Sequence, residues 1–95
     1  MKLQLTILVL LLSIWQSLYS QPGSSLQISE KYWVDEAKIK VNNKDYQRAI
    51  EDCNRAIALD ANFVRAYNWR GIIKFILGRY AEAIADYNQA IALDP

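Results

Sequence analysis

The sequence predicts an all-α fold built from antiparallel helix-turn-helix repeats, and two observations support this prediction. The first is self-similarity: residues 46–61 and 80–95 are identical at ten of sixteen positions when shifted by 34 residues. The second is an apolar stripe with helical spacing that recurs in both segments. A unit of this length buries its apolar face by stacking on its neighbour.

The apolar stripe follows the turn of an α-helix. In the first segment apolar residues stand at i, i+3, i+4, i+7, i+10 and i+11: Tyr46, Ala49, Ile50, Cys53, Ala56 and Ile57. The second segment repeats this spacing from Tyr80 to Ile91. Such spacing places the residues along one side of a helix, where they can face a core.

Turn-forming residues indicate where the helices begin and end. Asp45 is placed to cap the helix that follows it by accepting a backbone N–H. Gly78 can adopt the left-handed conformation that ends the helix before Tyr80, and Asn43 is placed to do the same before Asp45. The sequence therefore predicts four helices in two units, repeat 1 (30–63) and repeat 2 (64–95): 30–43, 46–59, 64–77 and 80–93.

Small and aromatic residues alternate as close helix packing requires. In repeat 1 these are Trp33, Ala37, Tyr46, Ala49 and Ala56, and in repeat 2 they are Tyr67, Gly71, Gly78, Tyr80, Ala83, Tyr87, Ala90 and Pro95. On these residues the chain resembles tetratricopeptide repeat proteins over about 66 of its 95 residues. The resemblance implies an α-solenoid in which Gly71 opposite Ala83, and Ala37 opposite Ala49, allow close approach.

Four charged residues depart from the family pattern. They stand where the family often has leucine or tyrosine: Glu36, Lys40, Arg70 and Lys74. We expect their aliphatic stems to cover apolar surface while their charges reach water. Cys53 replaces the aromatic residue found at Tyr87, and Ala61 replaces the proline found at Pro95, so we expect looser packing around repeat 1.

The composition argues against an enzyme and against a nucleic-acid binder. The chain has no histidine, and we find no glycine-rich phosphate loop, no metal-ligand cluster and no nucleophile–base pair. Beyond residue 28, ten Lys and Arg balance ten Asp and Glu, which is not the basic footprint of a nucleic-acid binder. The lone Cys53 lies on the apolar stripe. We therefore expect a buried small hydrophobe, with a reactive thiol or an intermolecular disulfide as the alternatives.

The resemblance implies a concave face, lined by the first helix of each repeat, that binds an extended peptide or a partner helix. The residues at those positions are Lys31, Val34, Lys38, Val41, Asn42, Arg65, Asn68, Ile72, Phe75 and Ile76. The apolar members form a strip with basic flanks, which marks an interaction site if exposed; the alternative is a core covered by the linker or another repeat. Val34 and Lys38 stand where some members carry the lysine and asparagine of a carboxylate clamp, so that ligand is not expected.

The N-terminal segment reads as an export signal. Residues 1–20 run from Lys2 through an apolar stretch to small and polar residues, the order of a secretory signal peptide. We expect cleavage after Ser20, a flexible linker over 21–29, and action outside the cytoplasm, in a periplasmic, luminal or extracellular space. The alternatives are an uncleaved membrane anchor through residues 3–19, facing outside, and a core helix.

Two repeats leave the last helix without a neighbour. Because about three repeats are usually needed for stability, we expect Tyr87, Ala90 and Ile91 to be partly open. This predicts a piece of a longer array or self-association through that end. The expected function is a protein-interaction module without cofactors. The alternatives are a membrane-tethered assembly factor and an accessory repeat region of a longer protein.

Overall fold

The computed structural model describes residues 2–19 and 28–95, and every regular element within them is an α-helix. The five helices are α1 (Lys2–Tyr19), α2 (Glu30–Asn42), α3 (Tyr46–Leu59), α4 (Val64–Ile76) and α5 (Tyr80–Leu93). Helices α2 to α5 match the four predicted helices to within one residue at each end. The all-α prediction is confirmed.

The helices of each repeat form an antiparallel pair. Helix α2 packs on α3 and α4 packs on α5, while α4 also lies against α3 and, less extensively, against α2. This arrangement stacks repeat 2 on repeat 1. It follows that α2 and α4, the first helices of the two repeats, are neighbours on one side of the stack.

Helix α1 stands apart from the repeats, since in the part of the chain that the structure describes it packs on none of the other helices. Its apolar side chains between residues 7 and 15 are more than half exposed. No described helix is both long enough and apolar enough to cross a bilayer. Cleavage after Ser20 stays a prediction, and Ser20 and residues 21–27 of the expected linker lie outside the described residues.

The core joins the two repeats. One cluster of buried residues comprises Ala37, Ala49, Ile50, Cys53 and Ile73, and a second comprises Val34, Ala56 and Ala66. Each cluster contains residues of α2, α3 and α4, so its burial depends on repeat 2 lying on repeat 1. Complete burial of one side chain such as Ile73 stabilises the stack by about 1.5–3 kcal/mol.

The turns inside the two repeats are closed in the same way. The N–H of Asp45 donates to the carbonyl of Lys40 at 2.8 Å, and the N–H of Arg79 donates to the carbonyl of Lys74 at 2.8 Å. Gly78 has φ 78°, which confirms the left-handed conformation predicted for it.

Two details of the first turn were predicted wrongly. The left-handed residue is Lys44, with φ 61°, and not Asn43, whose φ is −87°. Asp45 precedes α3, but its side chain makes no capping hydrogen bond and lies 3.7 Å from Arg48. By contrast Ser29, which we placed in the linker, caps α2 by accepting a hydrogen bond from the Tyr32 N–H at 3.3 Å.

Candidate functional site

The predicted concave-face residues differ widely in exposure. Seven are exposed: Lys31, Asn42, Arg65, Asn68, Ile72, Phe75 and Ile76. Lys38 and Val41 are half-buried, and Val41 packs against the first core cluster. Val34 is completely buried with Ala56 and Ala66, so placing it on a binding surface was wrong. The reason is tertiary, because α4 lies over this part of α2.

The exposed apolar residues of this surface come from one helix. Ile72, Phe75 and Ile76 are 36%, 58% and 47% exposed, and we call them the apolar strip. Their spacing of three and four residues puts them on one side of α4. The buried Ala66 and Ile73 lie beside this strip on the face of α4 that packs on repeat 1. Packing of α4 on α3 therefore turns the apolar strip toward solvent.

Three of the predicted concave-face residues are cations, and two of them are already engaged. Asp35 lies 3.9 Å from both Lys31 and Lys38, and the Lys38 ammonium also sits 5.5 Å from the Trp69 ring centroid. Arg65 is exposed and makes no ion pair within the described residues. The surface can therefore offer apolar contact together with an unneutralised guanidinium.

Each repeat contains a buried acidic site that we did not predict. Asp52 and Asp86, at equivalent positions of the two repeats, are 0% and 4% exposed. Arg70 makes a two-pronged contact with Asp86, from Nε at 2.9 Å and Nη2 at 2.7 Å, and Lys74 lies 3.0 Å away.

Asp52 is paired in a similar way, with Lys40 and, at 2.7 Å, with Arg55. The expectation that the charges of Lys40, Arg70 and Lys74 reach water was thus wrong, because each binds a buried carboxylate. The identity of Asp52 and Asp86 within the repeat could have indicated this, since an acid on a buried face needs a cation nearby.

The surroundings of Asp86 shift its acidity. Burial by itself raises the pKa of this carboxyl, but hydrogen bonds from Arg70 and Lys74 and their positive charges outweigh burial. The pKa of Asp86 consequently lies below the ordinary value for an aspartate. Both sites tie the first helix of a repeat to its second helix.

Cys53 is a buried hydrophobe, as predicted. Its side chain is completely buried, and burial raises the pKa of its thiol to about 12. A thiol of this pKa is almost entirely protonated at neutral pH and is a poor nucleophile. Among the residues described, no group of three or more His, Cys, Asp or Glu side chains is arranged to hold a metal ion.

The predicted close approach at Gly71 is present, although its partner is an aromatic ring. A Cβ at this position would lie 2.8 Å from Cε1 of Tyr87. The ring of Tyr87 on α5 therefore rests directly over the backbone of α4, where any larger residue would force it to move.

Comparison with known proteins agrees with this architecture. Residues 38–95 match the tetratricopeptide repeat family. A segment of 52 residues is 38% identical to RNA polymerase II-associated protein 3 of Homo sapiens, covering 55% of this chain and 8% of that protein.

Two further relatives come from yeast and pea. The small glutamine-rich tetratricopeptide repeat-containing protein 2 of Saccharomyces cerevisiae is 25% identical over 76 residues, 80% of this chain and 22% of that protein. The translocon at the outer membrane of chloroplasts 64 of Pisum sativum is 39% identical over 64 residues, 67% of this chain and 11% of that protein. The chain thus spans less than a quarter of the length of each of these three relatives. With the match over residues 38–95, the repeat spacing and the stacked helix pairs, the chain belongs to the tetratricopeptide repeat family.

Proposed function

We propose that this protein-interaction scaffold binds a peptide or helix of another protein on the surface formed by α2 and α4, outside the cytoplasm. The observation that carries the proposal is the apolar strip. Ile72, Phe75 and Ile76 stay exposed although they stand next to one another on a well-packed helix. A contiguous apolar patch on a small domain is typical of an interaction surface.

The flanking groups suggest the chemistry of the partner. Arg65 offers a guanidinium that no described carboxylate neutralises, and Asn68 can both donate and accept hydrogen bonds. A segment with two or three apolar side chains and a neighbouring acidic residue would satisfy both parts of the surface. The apolar contact would supply most of the affinity and the acidic residue its orientation.

A displayed peptide library, selected against the full chain, tests this proposal. We expect enrichment of peptides that combine apolar and acidic residues. Ile76→Ala should weaken a selected peptide about 10-fold, the effect of losing one partly buried apolar contact. Arg65→Glu should weaken it further and remove its salt dependence. Leu59→Ala is the matched control, because Leu59 at the end of α3 is 55% exposed and Ile76 is 47% exposed. A peptide that binds Ile76→Ala and the unaltered chain equally would contradict the proposed surface.

The proposed compartment rests on the N-terminal segment and needs its own test. Mass spectrometry of the mature protein should find an N-terminus at Gln21. An intact N-terminus would instead favour the tethered alternative, for which the half-exposed apolar side chains of α1 are the supporting observation. The name of the pea relative places that protein at a chloroplast membrane, which supports the tethered alternative.

A further inference from the structure

Inside the chain, one interface joins the repeats, and α4 provides half of it. Ile73 is completely buried against Ala37, Ala49, Ile50 and Cys53 of the preceding repeat. In this contact the paired helices α2 and α3 bind a third helix, α4, through a buried isoleucine. The paired helices α4 and α5 form a corresponding surface in repeat 2.

The surface on α5 is the exposed counterpart of this interface. A shift of 34 residues converts Ile50 into Ile84, and its exposure rises from 6% to 57%. Tyr80 and Ile91 are 58% and 62% exposed, while Tyr87 is half-buried. We call Tyr80, Ile84, Tyr87 and Ile91 the tail face. It presents an apolar stripe that no described helix covers.

The outer side of α2 is the exposed counterpart of α4. Ile39 corresponds to Ile73 under the same shift, with an identical side chain, and is 53% exposed where Ile73 is completely buried. Tyr32 corresponds to Ala66 and is 45% exposed. We call Ile39 and Tyr32 the head face. The chain therefore exposes both halves of an interface that it also contains in assembled form.

Differences in side-chain size between the assembled interface and the exposed halves compensate one another. Tyr32 and Tyr87 are larger than their equivalents Ala66 and Cys53. The opposite change occurs next to them, since Asp35 and Ser29 are smaller than their equivalents Trp69 and Phe63. A head face laid on a tail face would thus keep roughly the same total volume, which is the condition that packed cores tolerate best.

The polar contact between repeats also has a counterpart. Arg70 of α4 donates to the side-chain oxygen of Asn54 on α3 at 2.9 Å. The equivalent pair is Glu36 of α2 and Asn88 of α5. Because an amide side chain can donate as well as accept, the N–H of Asn88 can donate to the carboxylate of Glu36. Asp35 is on the same side of α2 as Ile39. It already lies 3.9 Å from Lys31 and from Lys38, so its charge would not enter the interface unpaired.

From these correspondences we propose that the protein associates head to tail, with α2 of one copy packed on the tail face of the next as α4 packs on α3. The two surfaces are different, so the contact does not close on itself. Such a heterologous interface extends into short linear chains. This association uses Ile84 and Ile39 and leaves Ile76 free, because its equivalent Asn42 stays exposed in the assembled repeat. Phe75 of the apolar strip borders the contact, since its ring centroid lies 5.2 Å from that of Tyr80 and its equivalent Val41 packs on the first core cluster. Ile76 is therefore the residue of the apolar strip that separates the association from peptide binding.

Capture experiments with single-end variants of the full chain test this proposal, in non-ionic detergent that covers α1. Ile39→Glu breaks the head face and Ile84→Glu breaks the tail face. Each substitution should weaken the association of a variant with itself on the order of 100-fold, because a buried apolar contact is lost and a charge is desolvated. A mixture of the two variants retains one intact head and one intact tail, so tagged Ile39→Glu should capture untagged Ile84→Glu and the mixture should sediment as a dimer.

Ile76→Glu is the matched control. It places the same charge on an exposed isoleucine whose equivalent, Asn42, stays exposed in the assembled repeat. This variant should associate like the unaltered chain, and circular dichroism should show unchanged helix content in all three variants. Self-association of Ile39→Glu together with its loss in Ile84→Glu would overturn the proposal in favour of a symmetric α5–α5 contact. A monomeric unaltered chain would overturn it in favour of a helix from another protein, and so would association that none of the substitutions changes.

Discussion

The two repeats bury the same carboxylate and neutralise it differently. In repeat 1, Asp52 is bound by Lys40 from α2 and by Arg55 from its own helix, whose side chain is 51% exposed. In repeat 2, Asp86 is bound by Arg70 and Lys74, which both come from α4 and are 21% and 12% exposed. In both repeats the lysine comes from the first helix. The arginine comes from the second helix in repeat 1 and from the first helix in repeat 2.

This difference shows what the fold requires and what it leaves free. A buried carboxylate needs a cation within hydrogen-bonding distance, but either helix of the pair can provide the second one. When both cations come from the opposite helix, they tie that helix firmly and are themselves withdrawn from water. When one comes from the same helix, the tie is weaker and its cation stays solvated.

Removal of the carboxylate should give the largest effect. Asp86→Ala leaves two poorly exposed cations without a partner and should lower the free energy of unfolding by about 3–4 kcal/mol. Asp52→Ala should cost about 1–2 kcal/mol, because Arg55 is solvated already and Lys40 can extend to water. Urea titrations followed by circular dichroism measure both values. Equal losses would show that the exposure of the cations does not matter.

Removal of the lysine should reverse this order. Lys40→Met leaves the completely buried Asp52 with a cation from its own helix only, and we expect a loss of about 2 kcal/mol. Lys74→Met leaves Asp86 in its two-pronged contact with Arg70 and should cost less than about 1 kcal/mol. The same titrations apply, and methionine keeps the stem volume in both variants. A larger loss for Lys74→Met than for Lys40→Met would contradict the division of roles between the two repeats.

Acid should weaken the pair in repeat 2 by a smaller amount, because a protonated Asp86 still fills its place. The pKa of Asp86 is lower in the folded chain than in the unfolded chain. Its contribution to stability is therefore complete above the unfolded value, about pH 4, and is lost as pH falls through the lower folded value. Unfolding titrations between pH 6 and about pH 3 should show a steeper loss for the unaltered chain than for Asp86→Asn. Parallel curves would mean that this carboxyl does not carry the dependence.

The turns should give the smallest difference. Lys44 holds φ 61° where repeat 2 has Gly78 at φ 78°. A residue with a Cβ pays about 1 kcal/mol in this conformation, so Lys44→Gly should raise the free energy of unfolding by about 0.5–1 kcal/mol. Gly78→Lys should lower it by a similar amount. No Cβ contact complicates the second variant, since nothing lies within 4 Å of that position. Destabilisation by Lys44→Gly would show that the lysine side chain contributes more than its backbone strain costs.

Much of the fold was predictable because its signals are local in the chain. The identities between the two segments and the spacing of Ala49, Ile50 and Cys53 indicated the helices, their limits to within one residue and the core residues of α3. The apolar strip on α4 was also predictable as a pattern, because Ile72, Phe75 and Ile76 share one side of a helix. Its role as a binding surface stays a proposal.

Val34, Asn43 and the charged residues could not be assigned in this way. Val34 stands at the position of the exposed Asn68, and it is buried between Ala56 of its own repeat and Ala66 of α4. Lys44 stands 34 residues before Gly78 and shares its left-handed conformation, although asparagine tolerates that conformation better than lysine. For Val34 and the charged residues the outcome depends on an element that stands elsewhere in the chain.

The sequence by itself thus determined the repeat, the helix limits and the family. These features depend on the 34-residue identity and on the spacing of apolar residues along single helices, which are both local in the chain. The tertiary structure alone decided which charged side chains meet. Lys40 reaches Asp52 and Arg70 reaches Asp86 only after two helices have packed at a given angle and depth. Burial then makes these pairs necessary, because a carboxylate withdrawn from water is stable only with a cation beside it.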